Sequence, residues 1–136
     1  LFRSPIKSTM AQTAHAEFQR GLQESIPYTP GSAVDGGDFV FFGSGLERLV
    51  GVALAPIAAN VTDNVCIAGQ FRVKKKAAAT FAVGDLVGWD TGAEEAVVSG
   101  DGALDVQLGV CVELAEADDD CVVTKINAAA GWEASA

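Results

Sequence analysis

The sequence predicts an all-β fold, a small β-barrel or sandwich built from two related halves, preceded by an extended N-terminal arm. The first observation is a repeated phrase: Gly37-Asp38-Phe39-Val40-Phe41-Phe42 returns as Gly84-Asp85-Leu86-Val87-Gly88-Trp89. The second is that the strand-like text after each copy keeps its order. Leu49-Val50-Gly51-Val52-Ala53-Leu54-Ala55 and Val65-Cys66-Ile67 follow the first, and Leu108-Gly109-Val110-Cys111-Val112-Glu113-Leu114-Ala115 and Cys121-Val122-Val123 follow the second. The offset is 47 residues at Gly-Asp (37 to 84) and 58 at Gly-Val (51 to 109), so the second copy carries the longer loop. Conserved order with variable loops is the signature of a folded repeat. The third observation is punctuation, because Gly, Asp, Asn and Pro separate short apolar runs, as in sandwiches and barrels.

Residues 1–30 read as the arm and its first strand, residues 31–127 as the β-domain and residues 128–136 as a C-terminal tail. Phe18, Leu22 and Ile26 are spaced as a helical stripe, but Gly21 interrupts it and Pro27 ends it, which favours extended structure. Strands are expected at 22–28, 38–42, 48–54, 65–73, 85–89, 95–98, 106–114 and 121–126. A short helical turn is expected over 75–82, where Ala is the best helix former and Gly84 can stop it. Residues 90–105 read as a long surface loop and Glu116 to Asp120 as a solvated acidic turn. The tail is made of small residues around one large aromatic, Trp132.

With 136 residues the chain fits a single domain, and one of this size buries roughly two-thirds of its unfolded surface. No apolar run approaches the roughly 20 residues that span a bilayer as a helix, and no basic patch precedes an apolar stretch as in a secretory signal. Met10-Ala11-Gln12 reads like a natural start within the given sequence. Residues 1–76 carry eight Lys/Arg against six Asp/Glu, whereas residues 77–136 carry one against twelve. So acidic a chain disfavours nucleic acid, whose binding rests on cations that neutralise phosphates. From charge alone, the basic half is expected to face a binding partner and the acidic half solvent. Cys66, Cys111 and Cys121 lie in strand text without a Cys-x-x-Cys pair. They read as buried free thiols of a protein folded in a reducing cytoplasm.

Little in the sequence supports catalysis. No Gly-x-x-x-x-Gly-Lys-Ser/Thr loop is present to cradle a triphosphate. His15, the only histidine, stands in the polar arm, so a Ser-His-Asp or Cys-His system would have to be built from that segment. Asp118-Asp119-Asp120 with Glu116 lacks the alternating order of a calcium loop, and zinc would need ligands the chain does not space suitably. Asp38 and Asp85, each after Gly at a strand entrance, read as acceptors for amides of their own turns. No cofactor or metal is expected. Lys74-Lys75-Lys76, the only basic run, reads as a solvated connector with protein contact as the functional alternative.

Taken together, Ile26-Pro27-Tyr28-Thr29-Pro30, Gly37-Asp38-Phe39-Val40, Val50-Gly51-Val52-Ala53, Gly69-Gln70-Phe71-Arg72-Val73-Lys74-Lys75, Gly84-Asp85-Leu86-Val87-Gly88-Trp89-Asp90 and Leu108-Gly109-Val110 resemble the capsid cement, or head decoration, family of tailed bacteriophages. Members of that family are often mislabelled as recombinases in phage genomes. The resemblance runs from about Phe18 to Asn127. Gly88 departs from it, standing where an aromatic is usual, and both termini extend past the family's usual ends. The resemblance implies a non-enzymatic virion protein on the outer surface of the assembled head. It also implies homotrimers at three-fold and quasi-three-fold positions that bind the major capsid protein and reinforce capsomer junctions, with no nucleic-acid or membrane partner. Candidate capsid or subunit contacts are Phe2, Arg3, Ile6, Lys7, Phe18, Arg20, Lys74, Lys75, Lys76 and Trp132. Two other readings remain open: another β-barrel virion part, such as a head spike base or tail accessory protein, and an enzyme or small-ligand binder using the acidic loops.

Overall fold

The computed structural model describes residues 14–45 and 48–128, and every regular element among them is a strand. Ten strands follow in chain order: β1 (Ala16–Arg20), β2 (Ser25–Tyr28), β3 (Phe39–Phe42), β4 (Leu49–Val52), β5 (Asp63–Cys66), β6 (Gln70–Lys74), β7 (Leu86–Asp90), β8 (Glu95–Val98), β9 (Val106–Glu113) and β10 (Cys121–Ile126). They form two antiparallel sheets, one ordered β1-β6-β10-β9-β7-β8 and the other β2-β5-β4-β3. The arrangement is an open sandwich, so the barrel alternative does not hold. Inward residues at alternate positions meet between the sheets: Phe71, Val73, Val87, Trp89, Leu108, Val122 and Ile126 from the larger, Val50, Val52 and Cys66 from the smaller. Their burial out of water is the main stabilising term, about 25 cal/mol per Å² of apolar surface.

The duplication is written in the hydrogen-bond register. In the smaller sheet Phe39 pairs with Val52 and Val40 with Gly51; in the larger, Leu86 pairs with Val110 and Val87 with Gly109. These are the same partners shifted by 47 residues (39 to 86) and 58 residues (52 to 110). The correspondence extends to β2 and β6, where the sequence shows no repeated phrase. Ser25↔Cys66 through Tyr28↔Asp63 in β2 and β5 matches Phe71↔Thr124 through Lys74↔Cys121 in β6 and β10. Each half therefore contributes one four-stranded sheet of identical order, β2-β5-β4-β3 and β6-β10-β9-β7, and the larger sheet gains β1 and β8 at its edges. The 11-residue difference between the shifts (58 less 47) houses β8, which pairs with β7 on the side away from β9. β8 is the strand expected at 95–98, and it interrupts the stretch 90–105 that also read as one long loop.

The turns repeat as well. Val34 and Ile57 exchange two backbone hydrogen bonds, as do Phe81 and Ala115. The Asp38 amide donates to the Asp35 carbonyl, and Asp38 Oδ2 accepts from the Asp35 amide; Asp85 does the same with Ala82. Gly37 and Gly84 occupy the third turn position at φ of 90° and 97°, the left-handed conformation that a type II turn demands there. The two Gly-Asp pairs are turn-builders, as their sequence context implied.

Three expectations change. The single strand at 65–73 is two, divided at Gly69, whose φ is 121°. The arm supplies β1 as well as β2, so residues 16–20 and 25–28 belong to the sheets. The helical turn over 75–82 does not form: Ala78 adopts φ of 69°, Lys75 bridges to Ala96 and Phe81 to Ala115. Eight residues are too few for a stable isolated helix, and the buried Phe81 binds that segment to the sheet.

All three cysteines are buried thiols outside any disulfide. Burial pushes the Cys111 and Cys121 thiols up to about 11, so they hold their protons at neutral pH and are poor nucleophiles. A thiol reagent at pH 8 is expected to leave all three untouched in the folded chain and to label all three in denaturant. Rapid labelling without denaturant would contradict this packing.

Candidate interaction surfaces

Of the candidate contact residues, Phe2, Arg3, Ile6, Lys7 and Trp132 lie outside the described residues. Phe18 is half-buried, edge-on to Phe71 at 5.5 Å between ring centroids, with its Cε1 2.8 Å from where a Cβ on Gly69 would stand. Its ring serves the core. Arg20 is exposed and reaches Glu113 across the sheet at 2.5 Å; a pair so open to water contributes about 1 kcal/mol at most.

The lysine run is not uniformly solvated. Lys74 is exposed, but Lys75 is 5% exposed and its Nζ donates to the Ala79 carbonyl at 2.6 Å. Burial lowers the Lys75 pKa from its usual value, and Asp119, Asp120 and Asp118 oppose that shift. Lys76 Nζ lies 3.1 Å from Asp101 Oδ2. A surface hollow of about 300 Å³ joins Lys74, Lys75 and Glu95 to the Asp118–Asp120 tract. Basic run and acidic tract are therefore neighbours, and the sequence-wide charge asymmetry does not become a basic face opposite an acidic one. Within the tract Asp119 is buried, its Oδ2 accepting from the Glu116 amide at 2.8 Å, while Asp118 and Asp120 are exposed. A solvated turn describes its flanks and not its centre.

His15 sits where the two sheets meet. Its Nδ1 is 3.4 Å from Asp38 Oδ1 in the smaller half, its Nε2 3.6 Å from Glu94 Oε1 beyond β7, and its ring 5.8 Å from Trp89. Beside it the Ala16 amide donates to the Gly37 carbonyl. The group fastens the root of the arm to both halves. The adjoining hollow of about 130 Å³, lined by Phe39, Phe41 and Thr91 among others, is too small for a sizeable substrate.

Sequence reasoning missed the exposed apolar residues. Leu22 is 87% exposed and Val83 67%, with Leu54, Val61 and Leu114 near half. They lie in connectors and turns, where period-two alternation no longer assigns a side. A nearby turn glycine was the available signal, Gly21 for Leu22 and Gly84 for Val83.

The described residues form a duplicated β-sandwich with exposed apolar side chains in its connectors and turns. Residues 18–126 match the phage cement protein family, from within β1 to the end of β10, and the chain belongs to that family. Membership makes it a structural, capsid-associated protein of a phage particle. No curated protein matches the chain.

Proposed function

We propose that the chain is a decoration protein that binds the outer surface of the assembled phage head and stabilises capsomer junctions. It acts as a homotrimer at three-fold and quasi-three-fold positions, with the major capsid protein as its partner. The observation that carries this reading is the family match across the whole sandwich. A doubled sheet scaffold supports the role physically, since a shell under internal load is reinforced by a component that does not deform. Many copies acting together raise avidity without any single strong contact.

The contacts fall to the arm, through Phe2, Arg3, Ile6 and Lys7, to Trp132 of the tail, and to Arg20 and Lys74 on the surface. Residues 1–13 carry Arg3 and Lys7 and no acid, a net positive charge by sequence. An extended segment of this kind adds to a neighbour's sheet through main-chain hydrogen bonds while its side chains enter pockets. Deleting residues 1–13 is expected to abolish occupancy on purified heads while leaving the unfolding temperature of the sandwich unchanged. Cutting further would remove Ala14 and Ala16, which pack against Gly37. Full occupancy by the shortened chain would remove the arm from the contact.

A further inference from the structure

The two halves differ at one equivalent place. In the first, the chain's own residues 14–16 lie over the Gly37 turn: the Cβ of Ala14 is 2.6 Å from where a Cβ on Gly37 would stand, and the Ala16 amide donates to the Gly37 carbonyl. His15 completes the contact by facing Asp38 Oδ1, while Asp38 Oδ2 is held by its own turn. In the second half Gly84 and Asp85 repeat the acceptors. Gly84 has the same positive φ, and Asp85 Oδ2 is held by the Ala82 amide, leaving Oδ1 as the equivalent acceptor. Yet among the described residues nothing lies within 4 Å of a Cβ placed on Gly84. A cleft of about 430 Å³ opens there, lined by Phe81, Gly84, Asp85, Leu86, Val98 and Ser99.

We infer that this cleft is a second docking site for an extended segment, and that its occupant is the N-terminal segment, within residues 1–13, of a second copy of this chain. Three observations select that occupant. The cleft repeats the geometry that already receives residues 14–16 of this sequence. Its lining carries one acid, Asp85, and no cation, whereas residues 1–13 carry two cations and no acid. Finally, the 13 residues upstream of Ala14 reach up to about 45 Å from it when extended. Ala11-Gln12-Thr13 offers the same order as Ala14-His15-Ala16, a small residue, a side-chain donor and a small residue. The inference names what receives the arm proposed above as a contact element, and its test needs no phage head.

Full-length Ser8→Cys chains are mixed with full-length Ser99→Cys chains and gently oxidised, and linked peptides are mapped by mass spectrometry. The native thiols are buried and stay out of the reaction. A parallel mixture uses Ser44→Cys, an exposed loop position in the first half. The 8–99 link between chains is expected to exceed the 8–44 link by about tenfold or more. Equal yields would overturn the inference. So would a Ser8→Cys, Ser99→Cys double variant that links only within its own chain, because the segment would then belong to the same copy. A link without head binding would sustain the cleft and remove the cement reading, and head binding without the link would do the reverse.

Discussion

Gly109→Ala is expected to be the most damaging single-methyl change in the molecule. A Cβ at this position would stand 1.9 Å from the Lys125 carbonyl oxygen and 2.9 Å from its carbonyl carbon. Those are backbone atoms of the neighbouring strand, so relief requires β9 and β10 to separate where Gly109 pairs with Ile126. Overpacking that side chains cannot absorb costs about 3 kcal/mol, and a chain of this length then melts roughly 10 °C lower. Gly51, its counterpart in the first half, provides the contrast. There a Cβ would meet Val65 Cγ2 at 2.9 Å and Val40 Cγ2 at 3.1 Å, side-chain ends that can shift. Gly51→Ala is therefore expected to cost about 1 kcal/mol. Thermal unfolding of the two variants checks the order; a Gly109→Ala protein melting with the wild type would contradict the register.

Asn127→Ala carries the second largest expected effect. Leaving β10, Asn127 crosses to the other sheet and bridges β4 to the residue after β5: its Oδ1 accepts from the Val50 amide at 2.9 Å and its Nδ2 donates to the Val50 carbonyl at 2.8 Å and the Ile67 carbonyl at 2.6 Å. The substitution leaves these partly buried groups without partners, at about 2–3 kcal/mol. Asn127 also sits at φ of 60°, where Asn is better tolerated than Ala. Asn127→Gly separates the two causes, because it restores the backbone freedom and not the hydrogen bonds. Unfolding in denaturant is expected to place Asn127→Gly close to Asn127→Ala. Hydrogen exchange is expected to show the Val50 amide exposed in both. A protected Val50 amide in either variant would contradict the tether.

The sandwich was legible in the sequence wherever repetition and alternation reinforced each other. The shifts of 47 and 58 residues read from Gly-Asp and Gly-Val are the same ones that relate the strand pairings, because both motifs answer backbone constraints, a left-handed turn in one case and close strand approach in the other. β2 and β6 escaped the comparison because pairing fixes only their backbones. Ser25-Ile26-Pro27-Tyr28 and Phe71-Arg72-Val73-Lys74 share no pattern that survives their different surroundings. The helical turn over 75–82 failed because propensity is local, while the burial of Phe81 and Lys75 is set by β9 and the acidic turn.

The surfaces were less legible. Charge counted along the chain placed Lys74 to Lys76 opposite the acidic half, yet β6 lies beside β10, which starts immediately after the acidic tract, so the two are adjacent in space. His15 read as an arm residue and instead joins two turns separated by more than fifty positions in sequence. Contacts of this sort depend on which edges the topology brings together, and no local pattern encodes that.

The central claim, that this sandwich decorates and reinforces a phage head, is tested most directly by imaging purified heads and counting the chain on them. The account predicts copies over the whole outer surface, three to a site, at three-fold and quasi-three-fold positions. A few copies at one vertex or on the tail, or none on the head, would contradict it.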